Sequence, residues 1–420
     1  MIGSVIYQIF PDRFCKVSET NETFITKTWG SEVDSDCVMG GSIEGILNKL
    51  DYLRNLGVNI IYLNPIFQSP SNHKYDTIDY YKIDFSLGTL EDFERLIYEC
   101  HNVGIKIIID GVFNHTSPEF FAFKDILINQ EKSIYINWYE IFNFPVVIKD
   151  NPPYRACGGA AFLPKLNTEN AEVQVYIIDV IKYWESKGID GIRLDVPFEI
   201  HSSLLEKIRI ATNLYLVGEI WGYGGDFVPK YFNGVTNYLL RDSVIKAVAN
   251  QCITAKMFVD EWKTIEHIYK ENINSLINLA GSHDTKRIYS LCDGNVQKVK
   301  IFYAFLFVLP GIPLVYYGDE IGLKGENDPY CRGCMDWNEL NWDIEIYEFI
   351  KTLILMRKKY DLLVNGKVKF TCFNDRTLII TRYNETRRID IIINFGFQEE
   401  NINGEIVEAM NLKFNFIDIN

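Results

Sequence analysis

The sequence alternates short, almost uninterrupted apolar runs with longer segments in which apolar residues recur every three or four positions. Continuous apolar runs are typical of parallel strands buried on both faces, and the longer spacing is typical of helices packed against them. Eight such units follow one another, which predicts an α/β fold, a (β/α)8 TIM barrel. The predicted strands are residues 5–9, 59–63, 106–110, 191–194, 214–218, 234–238, 276–280 and 312–317, and the clearest predicted helices are 43–56, 90–103, 171–187 and 202–211.

Two stretches interrupt this alternation. The interval between Asp110 and Asn170 is rich in Pro and Gly and is too long for an ordinary connection, so we expect a small inserted domain after the third strand. Beyond Tyr360 the pattern becomes alternating without helices, which predicts a small antiparallel β domain with strands at 362–373, 377–383, 389–394 and 411–417. The predicted domains are a barrel of residues 1–114 and 165–360, an insert of residues 115–164 and a C-terminal β domain of residues 361–420.

Composition narrows the range of ligands and compartments. The net charge of −14 argues against nucleic acid and against an anionic membrane surface as partners. Residues 301–318 carry no charge, but Pro310, Gly311 and Pro313 interrupt them, which favours a buried helix and a buried strand over a membrane span. Nine irregularly spaced cysteines do not form a disulfide framework, and the N-terminus does not resemble a signal peptide, so we expect a cytoplasmic protein.

Polar residues cluster at the carboxyl ends of the predicted strands, where a barrel places its active site. Asp195, Glu219 and Asp284 follow the fourth, fifth and seventh strands, with Arg193, His115 and His283 beside them. A single Asp at a strand end is often only a helix cap. Three carboxylates at functional strand ends, each next to an Arg or a His, favour an active site instead.

Paired carboxylates are the groups that glycoside hydrolysis requires. A retaining glycosidase uses two carboxyl groups about 5 Å apart, one as nucleophile and one as acid/base. Arg193 precedes Asp195 by two residues on the same strand, so it is expected to keep Asp195 ionised. Glu219 must carry a proton near neutral pH, which burial beside Trp221 favours. Asp284 is expected to bind sugar hydroxyls and to favour ring distortion.

The same strand ends resemble known sequence motifs. Residues 110–115, 191–195, 217–221 and 282–284 resemble the four signatures of the α-amylase superfamily, glycoside hydrolase family 13, and residues 311–320 resemble its eighth-strand motif. Residues 163–167 (Leu-Pro-Lys-Leu-Asn), 7–14 and 71–77 are similar to the neopullulanase, cyclomaltodextrinase and maltogenic amylase group.

The resemblance implies a role for each site residue. Asp195 would be the nucleophile, Glu219 the acid/base and Asp284 the transition-state stabiliser. The implied substrate-binding residues are Tyr75, which would stack on the sugar, His115, Arg193 and His283, which would hydrogen-bond it, Asp328 and Arg332 on the non-reducing side, and Phe198, Glu199 and Trp221 on the leaving-group side.

Several features depart from the resembled group. Its members carry an N-terminal β domain before the barrel, whereas the first predicted strand here begins at Val5, so the oligomeric state stays open. Phe198 stands where relatives have Asn, which is expected to alter the acceptor side. No cofactor is expected to be required. Calcium stays open, because Asn114 is either a calcium ligand or a hydrogen-bonding prop and residues 17–22 lack the Asp- and Asn-rich calcium loop of relatives. Cys331 and Cys334 form a lone CxxC, which is poor evidence for zinc.

The resulting hypothesis is a retaining hydrolase that cleaves α-1,4-glucosidic bonds, with α-1,6 bonds open, in maltooligosaccharides, cyclodextrins or pullulan-type α-glucans by double displacement. A 4-α-glucanotransferase that uses the same covalent intermediate is the alternative enzyme. A non-catalytic sugar-binding protein is the alternative of another class, and the presence of all three carboxylates argues against it.

Overall fold

A closed barrel of eight parallel strands is the centre of the computed structural model, which describes residues 2–17, 25–402 and 404–418. The strands in chain order are β1 Ile6–Ile9, β2 Ile60–Leu63, β3 Phe67–Gln68, β4 Asp79–Ile83, β5 Lys106–Gly111, β6 Gly191–Leu194, β7 Tyr215–Gly218, β8 Gly234–Thr236, β9 Leu276–Leu279, β10 Ile312–Tyr316, β11 Lys367–Cys372, β12 Thr377–Tyr383, β13 Arg387–Asn394, β14 Glu400–Ile402, β15 Glu405–Val407 and β16 Asn411–Asp418. The barrel runs β1, β2, β5, β6, β7, β8, β9 and β10, and β10 pairs with β1 to close it.

The predicted barrel is confirmed, because each of the eight apolar runs contains one barrel strand. The strand ends differ from the predicted ones by one or two residues. The largest difference is at β8, where Asn237 accepts a hydrogen bond from the Leu240 backbone N–H and thereby caps a helix, so the strand stops at Thr236.

Alternate strand positions divide the barrel side chains between two apolar clusters. Ile6, Ile60, Ile108 and Ile277 belong to a cluster made almost entirely of strand residues. Their sequence neighbours, such as Ile61 in β2, join the main core shared with the helices. This two-sided burial is the reason that the strands read as continuous apolar runs.

The helices that surround the barrel are α1 Pro11–Phe14, α2 Ile43–Asn48, α3 Leu50–Leu56, α4 Leu90–Asn102, α5 Phe121–Asn129, α6 Ala171–Ser186, α7 Ser202–Ala211, α8 Tyr238–Val244, α9 Ala255–Tyr269, α10 Ile288–Leu291, α11 Val296–Val308, α12 Ile344–Lys359 and α13 Leu362–Asn365. The single helix predicted over residues 43–56 is wrong in one respect. Its backbone leaves the helical conformation at Lys49, whose N–H bonds to Ile46, so two helices form.

The apolar stretch around residue 310 is a buried helix, α11, followed by the buried strand β10. Within the described residues, the helices are all too short or too polar to cross a membrane.

The segment between β5 and α6 contains α5, several short 3-10 turns and isolated backbone pairings instead of a regular sheet. His115 pairs with Lys165, Ile141 with Tyr154, and Ala156 with Pro164. The first of these pairings joins the two ends of the segment, which places it above the carboxyl end of the barrel. The division of the chain into three domains stays a prediction.

The C-terminal residues form a four-stranded antiparallel sheet in the order β11, β12, β13, β16 and a separate hairpin of β14 and β15. The strand predicted over residues 362–373 is partly wrong, because its first four residues form α13. Leu362 and Leu363 are both buried in the main core, so they do not alternate in and out as strand residues would. The three-residue strands β14 and β15 are too short for a periodic sequence signal.

A buried carboxyl group lies just beyond β10. The hydroxyl groups of Tyr7 and Tyr52 donate to Oε1 of Glu320 at 2.5 and 2.6 Å. Burial raises the pKa of Glu320 to about 7 from its ordinary value of 4.5, although the two hydroxyl donors act in the opposite direction.

We expect Glu320→Gln to remove a pH-dependent loss of stability. The folded state holds this proton to a higher pH than the unfolded state, so wild-type stability falls as pH rises from about 4.5 to about 7, by about 3 kcal/mol at most. The glutamine keeps an oxygen acceptor for both tyrosines and does not ionise. Urea unfolding at pH 5 and pH 8 measures the effect. Equal pH dependence of wild type and variant would contradict the prediction.

Candidate active site

Arg193 is the centre of the candidate site at the carboxyl end of the barrel. Its Nη1 donates to Oδ1 of Asp110 and to Oδ1 of Asp195, both at 2.8 Å, and its Nη2 lies 2.8 Å from Oε1 of Glu219. All four side chains are buried. One planar guanidinium group therefore holds the carboxyl groups of Asp195 and Glu219 on the same side of the barrel end. The strand ends therefore meet as the sequence predicted.

Asp284 lies on the other side of the site and contacts two bases. Its Oδ1 accepts from Nη2 of Arg332 at 3.2 Å, and its Oδ2 lies 3.1 Å from Nε2 of His283. Arg332 also pairs with Asp328 at 3.0 Å. The side chain of Asp284 is 32% exposed, so it is open to a bound molecule while it remains anchored.

Tyr75 forms one wall of the site. Its ring is parallel to that of His283, with an interplanar angle of 4° and centroids 5.3 Å apart. Its hydroxyl lies 2.6 Å from Nε2 of His283 and donates to Oδ2 of Asp110 at 2.8 Å. Nε2 of His115 contacts the backbone oxygen of Tyr75 at 3.0 Å, so His115 fixes this wall.

Asp110 is a central residue of the site that the sequence analysis did not assign. It is completely buried and accepts hydrogen bonds from Arg193, Tyr75 and Tyr62, the last at 2.7 Å. It also faces Arg193 in the register between β5 and β6. The sequence did contain a signal for this residue. Asp110 ends the third predicted strand, and the assigned residues also lie at the ends of predicted strands.

The electrostatics of the site are dominated by an excess of carboxyl groups. Four of them, on Asp110, Asp195, Glu219 and Asp284, share the guanidinium groups of Arg193 and Arg332. Because like charges in a buried site repel one another, the three neighbouring carboxyl groups favour the protonated form of Asp195.

The individual pKa shifts follow from this arrangement. Burial raises the pKa of Asp195 well above its usual value, the Arg193 guanidinium lowers it, and neighbouring carboxylates raise it further. Burial likewise raises the pKa of Asp110 and of Asp284. Burial together with the nearby guanidinium groups lowers the pKa of His283, which keeps its ring neutral. Arg193 thus favours the ionised form of Asp195, as expected from the sequence, while burial opposes it.

Trp221 borders the opposite side of the site. Its ring stacks on Tyr238 with centroids 3.9 Å apart and an interplanar angle of 8°, and its Nε1 donates to Oε1 of Glu219 at 3.2 Å. From the sequence, Trp221 is expected to bury the side chain of Glu219, and the structure adds a direct hydrogen bond between the two side chains. Trp221 and Phe198 are 44% and 56% exposed, so both present aromatic surface to solvent beside the carboxylates.

Glu199 completes this side through a polar cluster. Its Oε2 accepts from Nζ of Lys165 at 2.9 Å and from Nδ2 of Asn114 at 3.3 Å. Oδ1 of Asn114 is buried and has no hydrogen-bond partner among the described residues. Ca²⁺ takes six to eight oxygen ligands, whereas the carboxylate beside Asn114 is already paired with the Lys165 ammonium group, which would repel a cation. These residues therefore do not fit calcium.

Two further candidate metal positions are the segment compared with the calcium loop of relatives and the CxxC pair. Residues 18–22 of the segment compared with the calcium loop of relatives lie outside the described residues. Sγ of Cys331 donates to the backbone oxygen of His283 at 3.0 Å. Across the described ranges, no group of three His, Cys, Asp or Glu side chains is arranged to hold a metal ion.

Comparison with known proteins assigns this arrangement to a family. Residues 8–343 match the model of the α-amylase catalytic domain. The chain belongs to the α-amylase family. A cyclomaltodextrinase of Geobacillus thermopakistaniensis is 40% identical over 405 residues, which cover 93% of this chain and 68% of that protein. An intracellular maltogenic amylase of Bacillus subtilis is 38% identical over 428 residues, which cover 100% of this chain and 71% of that protein.

The solved structure of a related protein matches this α-amylase family chain over almost its whole length. The ligand-free cyclic α-maltosyl-(1→6)-maltose hydrolase from Arthrobacter globiformis has a TM-score of 0.95 and 34% identity, and the match covers 99% of this chain and 98% of that one. The predicted fold class, the predicted enzyme class and the resemblance to the cyclomaltodextrinase and maltogenic amylase group are confirmed. The chain is a glycoside hydrolase of the α-amylase family.

Proposed function

We propose that this chain hydrolyses α-glucosidic bonds of maltooligosaccharides and related α-glucans with retention of configuration. The observation that carries the proposal is the shared contact of Arg193 with Asp195 and Glu219, since two carboxyl groups held by one guanidinium group suit a retaining mechanism, which uses a separation of about 5 Å. The carboxylate of Asp195 attacks the anomeric carbon while Glu219 protonates the departing oxygen. The ionised Glu219 then takes a proton from water, which attacks the anomeric carbon and releases Asp195.

The remaining residues position the sugar in this mechanism. Asp284 faces the cleft and binds sugar hydroxyls that move as the ring flattens. Tyr75 provides the stacking surface at the cleaved sugar, and His283 donates to its hydroxyls as a neutral ring. Asp328 and Arg332 extend the site toward the non-reducing end, and Phe198, Glu199 and Trp221 extend it toward the leaving group.

A second candidate substrate is a cyclic oligosaccharide that contains α-1,6 bonds. The end-to-end similarity to the cyclic α-maltosyl-(1→6)-maltose hydrolase of Arthrobacter globiformis favours it. Similarity to a cyclomaltodextrinase favours cyclodextrins by the same argument. We propose that the protein is located in the cytoplasm, because the similar maltogenic amylase of Bacillus subtilis is intracellular.

The test is a product profile on maltotriose, β-cyclodextrin, pullulan and cyclic α-maltosyl-(1→6)-maltose, with initial rates for each. Release of maltose or glucose from at least one of them supports the proposal, and the ranking identifies the preferred bond. Products longer than maltotriose would instead favour glucanotransfer, for which the exposed ring of Phe198 offers an acceptor surface. Binding without the release of reducing sugar would favour a sugar-binding protein.

We also propose that catalysis requires no calcium, because Lys165 supplies the positive charge beside Asn114 and Glu199. Dialysis against EDTA is therefore expected to leave both the rate on maltotriose and the melting temperature unchanged. Lys165→Met removes that charge and is expected to lower the melting temperature, since Glu199 then loses its ionic partner. An EDTA-induced loss of activity that calcium restores would contradict this proposal.

A further inference from the structure

Val196, the residue directly after Asp195, has an unfavourable backbone conformation. Its φ and ψ are +45° and +48°, in the left-handed region that β-branched residues avoid. Pro197 follows it and further restricts the conformation that a preceding residue can adopt. Strained backbone of this kind persists only where the surrounding structure holds it, and it occurs preferentially at functional sites.

The chain is anchored on both sides of this residue. The N–H of Asp195 bonds to the Gly111 backbone oxygen at 3.1 Å, which continues the pairing between β6 and β5. Beyond Val196, its own oxygen accepts from the N–H of Glu199 at 3.1 Å, within the 3-10 turn Pro197–Glu199. The rotation about φ sets how the peptide group between Asp195 and Val196 is oriented relative to this turn.

The left-handed conformation directs one hydrogen bond toward Glu219. The backbone N–H of Val196 donates to Oε2 of Glu219 at 3.2 Å. The other oxygen, Oε1, already receives the Arg193 and Trp221 donors at 2.8 and 3.2 Å. The two carboxyl oxygens therefore have different environments, and Oε2 is the one that has capacity left for a proton.

We propose that Val196 is a positioning residue, whose N–H holds Oε2 of Glu219 as the oxygen that transfers the proton; this rests on the acid/base role proposed above for Glu219. In the first step the proton leaves Oε2 for the glycosidic oxygen as the bond from the anomeric carbon to that oxygen breaks. The bond electrons go to the departing oxygen, and an oxygen of Asp195 forms the new bond to the anomeric carbon. The Val196 N–H stabilises the negative charge that Oε2 acquires in this step.

A positioning role of this kind has a signature that a structural role lacks. Assistance by a general acid matters for a sugar leaving group, which departs as a basic alkoxide unless it is protonated. It matters far less for fluoride, which departs as a weakly basic anion. Loss of the Val196 N–H should therefore slow the first displacement, measured as kcat/KM, on maltotriose and leave it unchanged on α-maltosyl fluoride.

The experiment replaces Val196 by 2-hydroxyisovalerate in the full chain by nonsense suppression, which changes the peptide N–H to an ester oxygen and keeps the side chain. We expect kcat/KM on maltotriose, which reports the first displacement, to fall about tenfold, the size expected for one hydrogen bond to a charged group, with no measurable change in kcat/KM on α-maltosyl fluoride. Glu219→Gln is the benchmark, and it should show the same selectivity with a larger loss. Equal losses of the ester variant on both substrates, or no loss on either, would overturn the proposal.

The benchmark separates this inference from the proposed function. If Glu219→Gln lowers kcat/KM equally on both substrates, the acid/base assignment itself fails. If Glu219→Gln is selective and the ester variant is not, only the role of Val196 fails.

Val196→Asn tests whether the backbone, and not the valine side chain, carries the effect. Asparagine tolerates the left-handed conformation and keeps the N–H. This variant should keep the wild-type ratio of rates on the two substrates and unfold at a higher temperature than the wild type, because the strain is reduced. A loss confined to maltotriose in Val196→Asn would contradict the backbone assignment.

Discussion

Asp195→Asn is expected to lower kcat on maltotriose by a factor on the order of 10⁴ or more, because an amide does not form the glycosyl ester on which the mechanism depends. The amide oxygen still accepts a hydrogen bond from Arg193, and one negative charge is removed from a cluster with an excess of carboxyl groups. The fold and its melting temperature should therefore be preserved. Steady-state rates and a thermal melt followed by circular dichroism measure the two quantities.

Asp51→Asn is the matched control for this variant. Its side chain is 82% exposed and pairs with Arg54 on a helix surface, so the same chemical change should leave both the rate and the stability unchanged. A rate close to wild type in Asp195→Asn would contradict the assignment of Asp195 as nucleophile. A melting temperature far below wild type would show that the lost rate reflects unfolding.

Arg193→Met is expected to lower the free energy of unfolding by about 3–5 kcal/mol near neutral pH, the cost of leaving buried charges without a partner. Its guanidinium group contacts Asp110, Asp195 and Glu219, and it is buried with them. Activity should be lost as well, because these contacts hold the two catalytic carboxyl groups together.

The loss in Arg193→Met should grow as the pH rises. Burial already raises the pKa of Asp110 and of Asp195, and removal of the cation raises both further. The folded variant then holds protons that the unfolded chain releases above about pH 4, so its stability falls with increasing pH. Urea unfolding at pH 5 and pH 8 should show a larger deficit at pH 8, with Arg54→Met as the exposed control. Equal deficits at both pH values would contradict the charge argument.

The sequence predicted the barrel and the principal residues of the site because both depend on local patterns. Buried parallel strands produce continuous apolar runs, and the carboxyl ends of those runs converge whatever the loops do. Asp195, Glu219 and Arg193 could be placed together on that argument alone, and the structure does bring them together.

The features that could not be predicted have weak signals in the sequence or none. Asp110 lies at a strand end, but its hydrogen bond from Tyr62 of the neighbouring strand β2 could not be inferred from the sequence. The break at Lys49 is a local change of backbone conformation within one continuous helical pattern. The four residues of α13 are too few for their apolar pattern to distinguish a helix from a strand. The left-handed backbone of Val196 has no sequence signal, because neither valine nor a following proline favours it.

The most direct test of the account is the configuration of the newly released sugar. Proton NMR of maltose formed from maltotriose, recorded within the first minutes before mutarotation, should show the α anomer in excess. Retention follows from two displacements at the anomeric carbon, first by Asp195 and then by water activated by Glu219. An initial excess of the β anomer would show a single displacement and would contradict the mechanism.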